Sequence, residues 1–158
     1  MYSIPGLKAL AQLASVDLAT PPSAGQVAFH LAPRITASGR MDSAAIALEL
    51  IITEKVARAE ELAARLEGLN QERQAAEQHV VAESIAMLEV DPSLLLRRAI
   101  VLAGDFAQGV IGIAASRLIE NYHRPTIINE DGTGKESCSA GASVVSTCVK
   151  RSISALLS

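Results

Sequence analysis

The chain has 158 residues, 49% of them apolar, 3% aromatic and 20% charged, with 14 Lys and Arg against 17 Asp and Glu and no tryptophan. That apolar half suffices for a packed core, which excludes wholesale disorder, and the core must be built from Ala, Leu, Ile and Val. A net charge of −3 excludes a nucleic-acid binder that works by bulk positive charge, but ten of the 14 cations are arginine, so a local basic site is open. Cys138 and Cys148 have no flanking ligand pattern and read as two ordinary thiols of a reducing compartment. No basic-then-apolar leader opens the chain, and the apolar run Ile46–Ile52 is broken by Glu49 and too short for a bilayer. The expectation is a cytoplasmic protein with no membrane contact.

In chain order, Ile4–Ala14 reads as a short helix, with Leu7, Leu10 and Leu13 at helical spacing, ended by Pro21-Pro22. Val27–Arg40 starts apolar and turns into a stretch of loop formers. Asp42 is a good cap for a helix to about Ile52, and Thr53 for the next. From Glu54 to Glu89 there is no proline, and Val56, Ala59, Leu62, Ala63, Leu66 and Leu69 fall on one face. Glu54–Arg58 and Glu61–Arg65 read as pairs four apart on the outer side. Such a helix of about 35 residues would be roughly 50 Å long, the length of a connector or of one arm of a helical hairpin. Asp91-Pro92 marks a boundary. Ala99–Ala103 then reads as a buried strand, Gly104–Gly109 as a turn, Val110–Tyr122 as a helix and Arg124–Asn129 as a second strand, together a βαβ unit. The remainder, Glu136–Ser158, shows no clear period, so the unit reads as having too few strands for an independent sheet.

Chemistry has three places to sit. The sequence carries no Asp-His-His, His-Glu-x-x-His or phosphate-loop motif, and His30, His79 and His123 are isolated. Arg34 and Arg40 flank small residues in Pro33–Arg40, as a phosphate fork or as two solvated loop arginines. Gln108–Gly112 lies at the mouth of a helix, as an anion site or as close packing. Gly132–Ser137 is a turn able to offer Lys135 and Ser137 to a phosphate, or a plain hairpin tip.

At these places the chain resembles a known family. Phe29–Met41, with Leu31-Ala32-Pro33-Arg34-Ile35-Thr36-Ala37-Ser38-Gly39-Arg40 at its centre, is similar to the Leu-Ala-Pro-Arg-Ile-Asn-Ala-Ala-Gly-Arg stretch of RecJ exonucleases, members of the DHH phosphoesterase superfamily. Leu62–Gln74 resembles that family's helix ending in Leu-Asn-x-Glu-Arg-Gln. Gly109–Leu118, followed by Tyr122 and Arg124-Pro125, resembles a third family segment. Order and spacing agree from about residue 5 to 137.

The resemblance implies an α/β layout: an N-terminal helical piece (1–41) ending a DHH-like domain, a helical connector (42–90), and the start of a DHH-associated α/β domain with the βαβ unit and a divergent tail (91–158). It implies a part in 5′→3′ degradation of single-stranded DNA in repair and recombination, with Arg34, Arg40 and Ser137 as candidates for DNA and 5′-phosphate binding. The family uses Mg or Mn, but its ligand motifs are not in this sequence. The expectation is therefore a fragment that binds no metal, carries no catalytic residue, is inactive alone, and has single-stranded DNA and a missing DHH catalytic domain as candidate partners. The alternatives are a non-catalytic nucleic-acid-binding or protein-interaction module, and part of a DHH-type oligonucleotide phosphodiesterase. Three departures stand out: Phe106-Ala107 replaces Trp-His, and Glu136 and Ser139 replace the Gly and Arg of a Lys-Gly-Ser-x-Arg loop.

Overall fold

The computed structural model describes residues 4–130 and the strand Cys138–Gly141. They belong to two compact units, one ending at Ala75 and the other starting at Ala76. The division falls inside one 35-residue helix, α5 (Val56–Val90).

The first unit is helical. It holds α1 (Pro5–Leu13), α2 (Ala24–Gln26), a π turn (Val27–Leu31), α3 (Ala32–Met41), α4 (Ala44–Ile52) and the first half of α5. The expected loop at Pro33–Arg40 is therefore a helix. Ser23 and Gln26 start it with a reciprocal capping box. Pro33 has no N–H to donate and would crowd the carbonyl four residues back. The turn ahead of it is widened, and Ala32 N–H reaches Val27 O, five residues back. Thr36 and Ser38, which favour turns, donate their hydroxyls to the carbonyls of Pro33 (3.2 Å) and Ile35 (2.8 Å), so the helix satisfies them. Because α3 runs to Met41, Asp42 closes that helix, and Ser43, in extended backbone, caps α4 instead.

The predicted stripe of α5 forms the core of this unit. Ala59, Leu62, Ala63, Leu66 and Leu69 are buried with Leu10, Ala11, Leu31, Ala37, Ile46, Ala47 and Leu50, whereas Val56 is exposed. The two expected pairs along α5 do not form as read. Arg58 instead grips Glu49 of α4 with both Nε (2.7 Å) and Nη2 (3.0 Å), and also meets Glu61 (2.8 Å). Arg65 reaches Asp42 (2.6 Å). The reason is tertiary: carboxylates on neighbouring elements lie within reach of the arginines, and the forked guanidinium binds them better than a flexible neighbour four residues away. The hydrogen bonds from Arg58 hold the Glu49 carboxyl below its ordinary range, and Glu49 in turn raises Arg58.

The second unit is α/β. It comprises the rest of α5, a 3₁₀ turn (Pro92–Leu96) capped by Asp91, β1 (Ile100–Gly104), α6 (Ile111–Tyr122), β2 (Thr126–Glu130) and β3 (Cys138–Gly141). β1 and β2 are parallel from Ile100↔Thr126 to Gly104↔Glu130. This is the expected βαβ unit, shifted by one or two residues. The expected shortage of strands is relieved by β3, antiparallel to β2, which gives a three-stranded sheet in the order β1-β2-β3. Ile100, Leu102 and Ile128 of the sheet are buried, as are Ile111, Ala114, Ala115 and Leu118 of α6 and Val80, Ser84 and Leu88 of α5. Phe106, which the resemblance sets against a Trp, is a core residue whose ring lies over Gly104. No helix among the described residues is long and apolar enough to cross a membrane.

Gly6 is where α1 crosses α4, and a Cβ there would lie 1.8 Å from Leu50 O. Because the obstacle is backbone, Gly6→Ala is expected to lower stability by about 1–3 kcal/mol, measured by chemical denaturation of the purified chain.

Candidate nucleic-acid interface

α3 and the first half of α5 carry two of the three segments that resemble the family, and a single side chain joins them. Arg34, on the first turn of α3, donates Nε to Glu67 of α5 and Nη1 to His30 O (2.6 Å). Its side chain is only 16% exposed and that of Glu67 23%. The His30 carbonyl belongs to the π turn, so Arg34 ties the widened turn to α5. Glu67 also accepts from Gln71 Nε2 (3.2 Å), and buried Asn70 accepts from Arg73 Nη2 (3.1 Å). Asn70, Gln71 and Arg73 of the Leu-Asn-x-Glu-Arg-Gln stretch are thus bonded along α5, and Glu67 just ahead of them is the residue that reaches α3. Arg34 is not the solvated loop cation that one reading of the sequence allowed.

Arg40 is different. It lies six residues on in the same helix, which turns its side chain roughly 120° away from that of Arg34. It is exposed on the last helical turn, where a cation suits the partial negative charge of the helix end. The two arginines therefore do not converge on one face. Ala37 and Ser38 between them are fully buried, so the small residues serve helix packing. Ser137 and the Gly132–Ser137 turn lie outside the described residues.

In the second unit, Gly109–Leu118 forms the entry and body of α6. Gly112 O accepts from Ser116 Oγ (3.1 Å), and Arg117 is paired with Glu77 (3.2 Å) and Glu120 (3.5 Å), which raise its pKa. The histidines stay apart. His30 is on the π turn, His79 faces Glu83 on α5 (3.6 Å), and His123 ends α6 in the left-handed region at φ 52°. Among the described residues no three His, Cys, Asp or Glu side chains come together. They do not fit a divalent metal, which needs converging carboxylates or imidazoles. Glu67 was not foreseen as a site residue. It lies 33 residues from Arg34, and nothing in a helical charge pattern pairs them.

No protein-family model matches the chain. The single-stranded-DNA-specific exonuclease RecJ of Escherichia coli is 37% identical over 143 residues, covering 84% of this chain and 24% of that protein. RecJ of Bacillus subtilis is 39% identical over 137 residues, covering 84% of this chain and 17% of its own length. The chain thus spans about a quarter or less of the curated relatives it matches. Among solved structures, RecJ of Thermus thermophilus in complex with Mn²⁺ superimposes with a TM-score of 0.69 at 35% identity, over 82% of this chain and 19% of that one. An exonuclease RecJ bound to manganese gives 0.65 at 35% identity, over 82% and 32%.

Removing the carboxylate that holds Arg34 would leave a half-buried guanidinium with one partner fewer. Glu67→Ala is expected to lower stability by about 1–2 kcal/mol, and Gln71→Ala, at the exposed end of the same chain of bonds, by less than about 0.5 kcal/mol, both read from denaturant melts.

Proposed function

Because the chain is RecJ-like in sequence and in fold over most of its length, we propose that it supplies the DNA-holding part of a RecJ-like 5′→3′ single-stranded-DNA exonuclease acting in repair and recombination. The observation that carries this reading is the Pro33–Arg40 helix, with Arg34 locked to α5 and Arg40 exposed. Arg40 and Ser137 are assigned to the 5′-phosphate, and Arg34 to holding the helix that presents Arg40. Residues 1–41 end a DHH-like domain, 42–90 form the connector and 91–158 belong to a DHH-associated domain. Mg²⁺ or Mn²⁺ would be bound by the remainder of such an enzyme, and this chain alone would have no nuclease activity. Work on DNA would place it in the cytoplasm.

A DHH catalytic domain is the protein partner of this reading, and α4 supports it. Apart from Glu49, every residue of α4 is apolar. Ile46, Ala47 and Leu50 are buried, while Ala44, Ala45, Leu48, Ile51 and Ile52 form an exposed stripe on the opposite side. A helix apolar all round is one that is covered on both faces. Nine of the eleven exposed large hydrophobic residues described lie in this first unit, Phe29 at 80% among them.

Arg40→Ala is expected to weaken binding of a 5′-phosphorylated single strand about ten-fold with a smaller drop in melting temperature than Arg34→Ala, which lowers both; fluorescence anisotropy with parallel melts separates the two. Leu48→Lys with Ile52→Lys is expected to leave the fold of the chain intact and abolish its capture by the amino-terminal part of a RecJ that precedes the matched segment, measured by co-purification.

A further inference from the structure

Seven of the described arginines fall into two sets. Arg34, Arg58, Arg65 and Arg117 are each paired with a carboxylate. Arg97, Arg98 and Arg124 are paired with none among the described residues, although acids outnumber cations in the sequence. The fold gathers these three. Arg97 and Arg98 lead into β1, and Arg124-Pro125 leads into β2. The two parallel strands begin side by side, with Ile100 N donating to Pro125 O (2.8 Å) and Ile100 in register with Thr126. Arg124 Nη1 donates to Arg97 O (2.6 Å), which fixes its guanidinium over the backbone of the neighbouring cation. Arg97 and Arg98 are exposed, as is His123 beside Arg124. Asp91, the nearest preceding acid in the chain, has its Oδ1 taken by Ser93 N (3.1 Å) and Ser93 Oγ (2.6 Å).

Like charges held at one edge of a sheet repel each other, and an anion relieves that repulsion. An arginine fork suits phosphate oxygens, and cations spread along two neighbouring chain entries suit a string of phosphates better than one small ion. We propose that Arg97, Arg98 and Arg124 form a second phosphodiester-backbone contact, on the α/β unit, for a single strand. This rests on the nucleic-acid reading above but on different residues and a different unit. The contact is to phosphate and carries no base preference, because the described part of this edge has no exposed aromatic side chain on which bases could stack.

The test uses the full chain and a 5′-phosphorylated oligothymidine, with anisotropy recorded across a salt series. Arg97→Gln with Arg98→Gln is expected to weaken binding about ten-fold and to reduce the slope of log affinity against log salt by about 1.4, near 0.7 for each phosphate that is no longer neutralised. Both side chains are exposed and neither holds an acid among the described residues, so the melting temperature should not move. Arg124→Gln should weaken binding as well. An unchanged affinity and slope in the double variant would overturn the proposal, as would a weaker affinity with an unchanged slope. If the double variant loses binding while Arg40→Ala does not, this site stands and the assignment of Arg40 fails. The reverse pattern upholds Arg40 and overturns this site.

Discussion

Pro33 cannot donate a hydrogen bond to the carbonyl four residues before it, and the geometry of the α3 site follows from how the chain accommodates that. The helix widens by one residue over Val27–Leu31 and then resumes. That change shifts the phase of everything after it, so it sets which of the later side chains face the core and which face water. Arg34 comes out next to Glu67 and to the carbonyl of His30. A guanidinium so placed links the irregular turn to the longest helix of the molecule.

The same kind of link recurs in the first unit. Three cations, Arg34, Arg58 and Arg65, cross from one element to another to reach Glu67, Glu49 and Asp42. Exposed pairs of this kind contribute little each. Their value is in orientation, since they fix how α3 and α4 lie against the apolar stripe of α5 that provides the burial. The only polar residue of α4 is one of them, which leaves the rest of that helix free to be apolar on both faces.

The second unit handles charge in the opposite way. Arg117 is neutralised by two glutamates, while the three arginines at the entry to the sheet have no acid beside them among the described residues. Its core is small-residue and aliphatic, with Phe106 over Gly104 as the one fully buried aromatic ring described. The poverty in aromatic residues thus bears on both packing and recognition: Phe106, which the resemblance places where a Trp is usual, is buried and cannot stack on a base.

Much of this was legible in the residues alone. The long helix was readable because its stripe at Ala59, Leu62, Ala63, Leu66 and Leu69 repeats with the helical period, and the βαβ unit because continuous apolar runs flank a helical one. Both are local properties, dictated by backbone geometry and burial along a single element. What only the three-dimensional structure decided was how an irregular turn is accommodated and which distant neighbours meet. Pro33, Thr36, Ser38 and Gly39 look like a loop until the turn before them widens and carbonyls three residues back accept the hydroxyls. Arg58 and Arg65 look like partners of Glu54 and Glu61 until helices α3 and α4 bring better-placed carboxylates. Arg97, Arg98 and Arg124 look unrelated until two parallel strands start side by side. Periodicity reports which face of an element is buried, but it holds no information about what that face will meet.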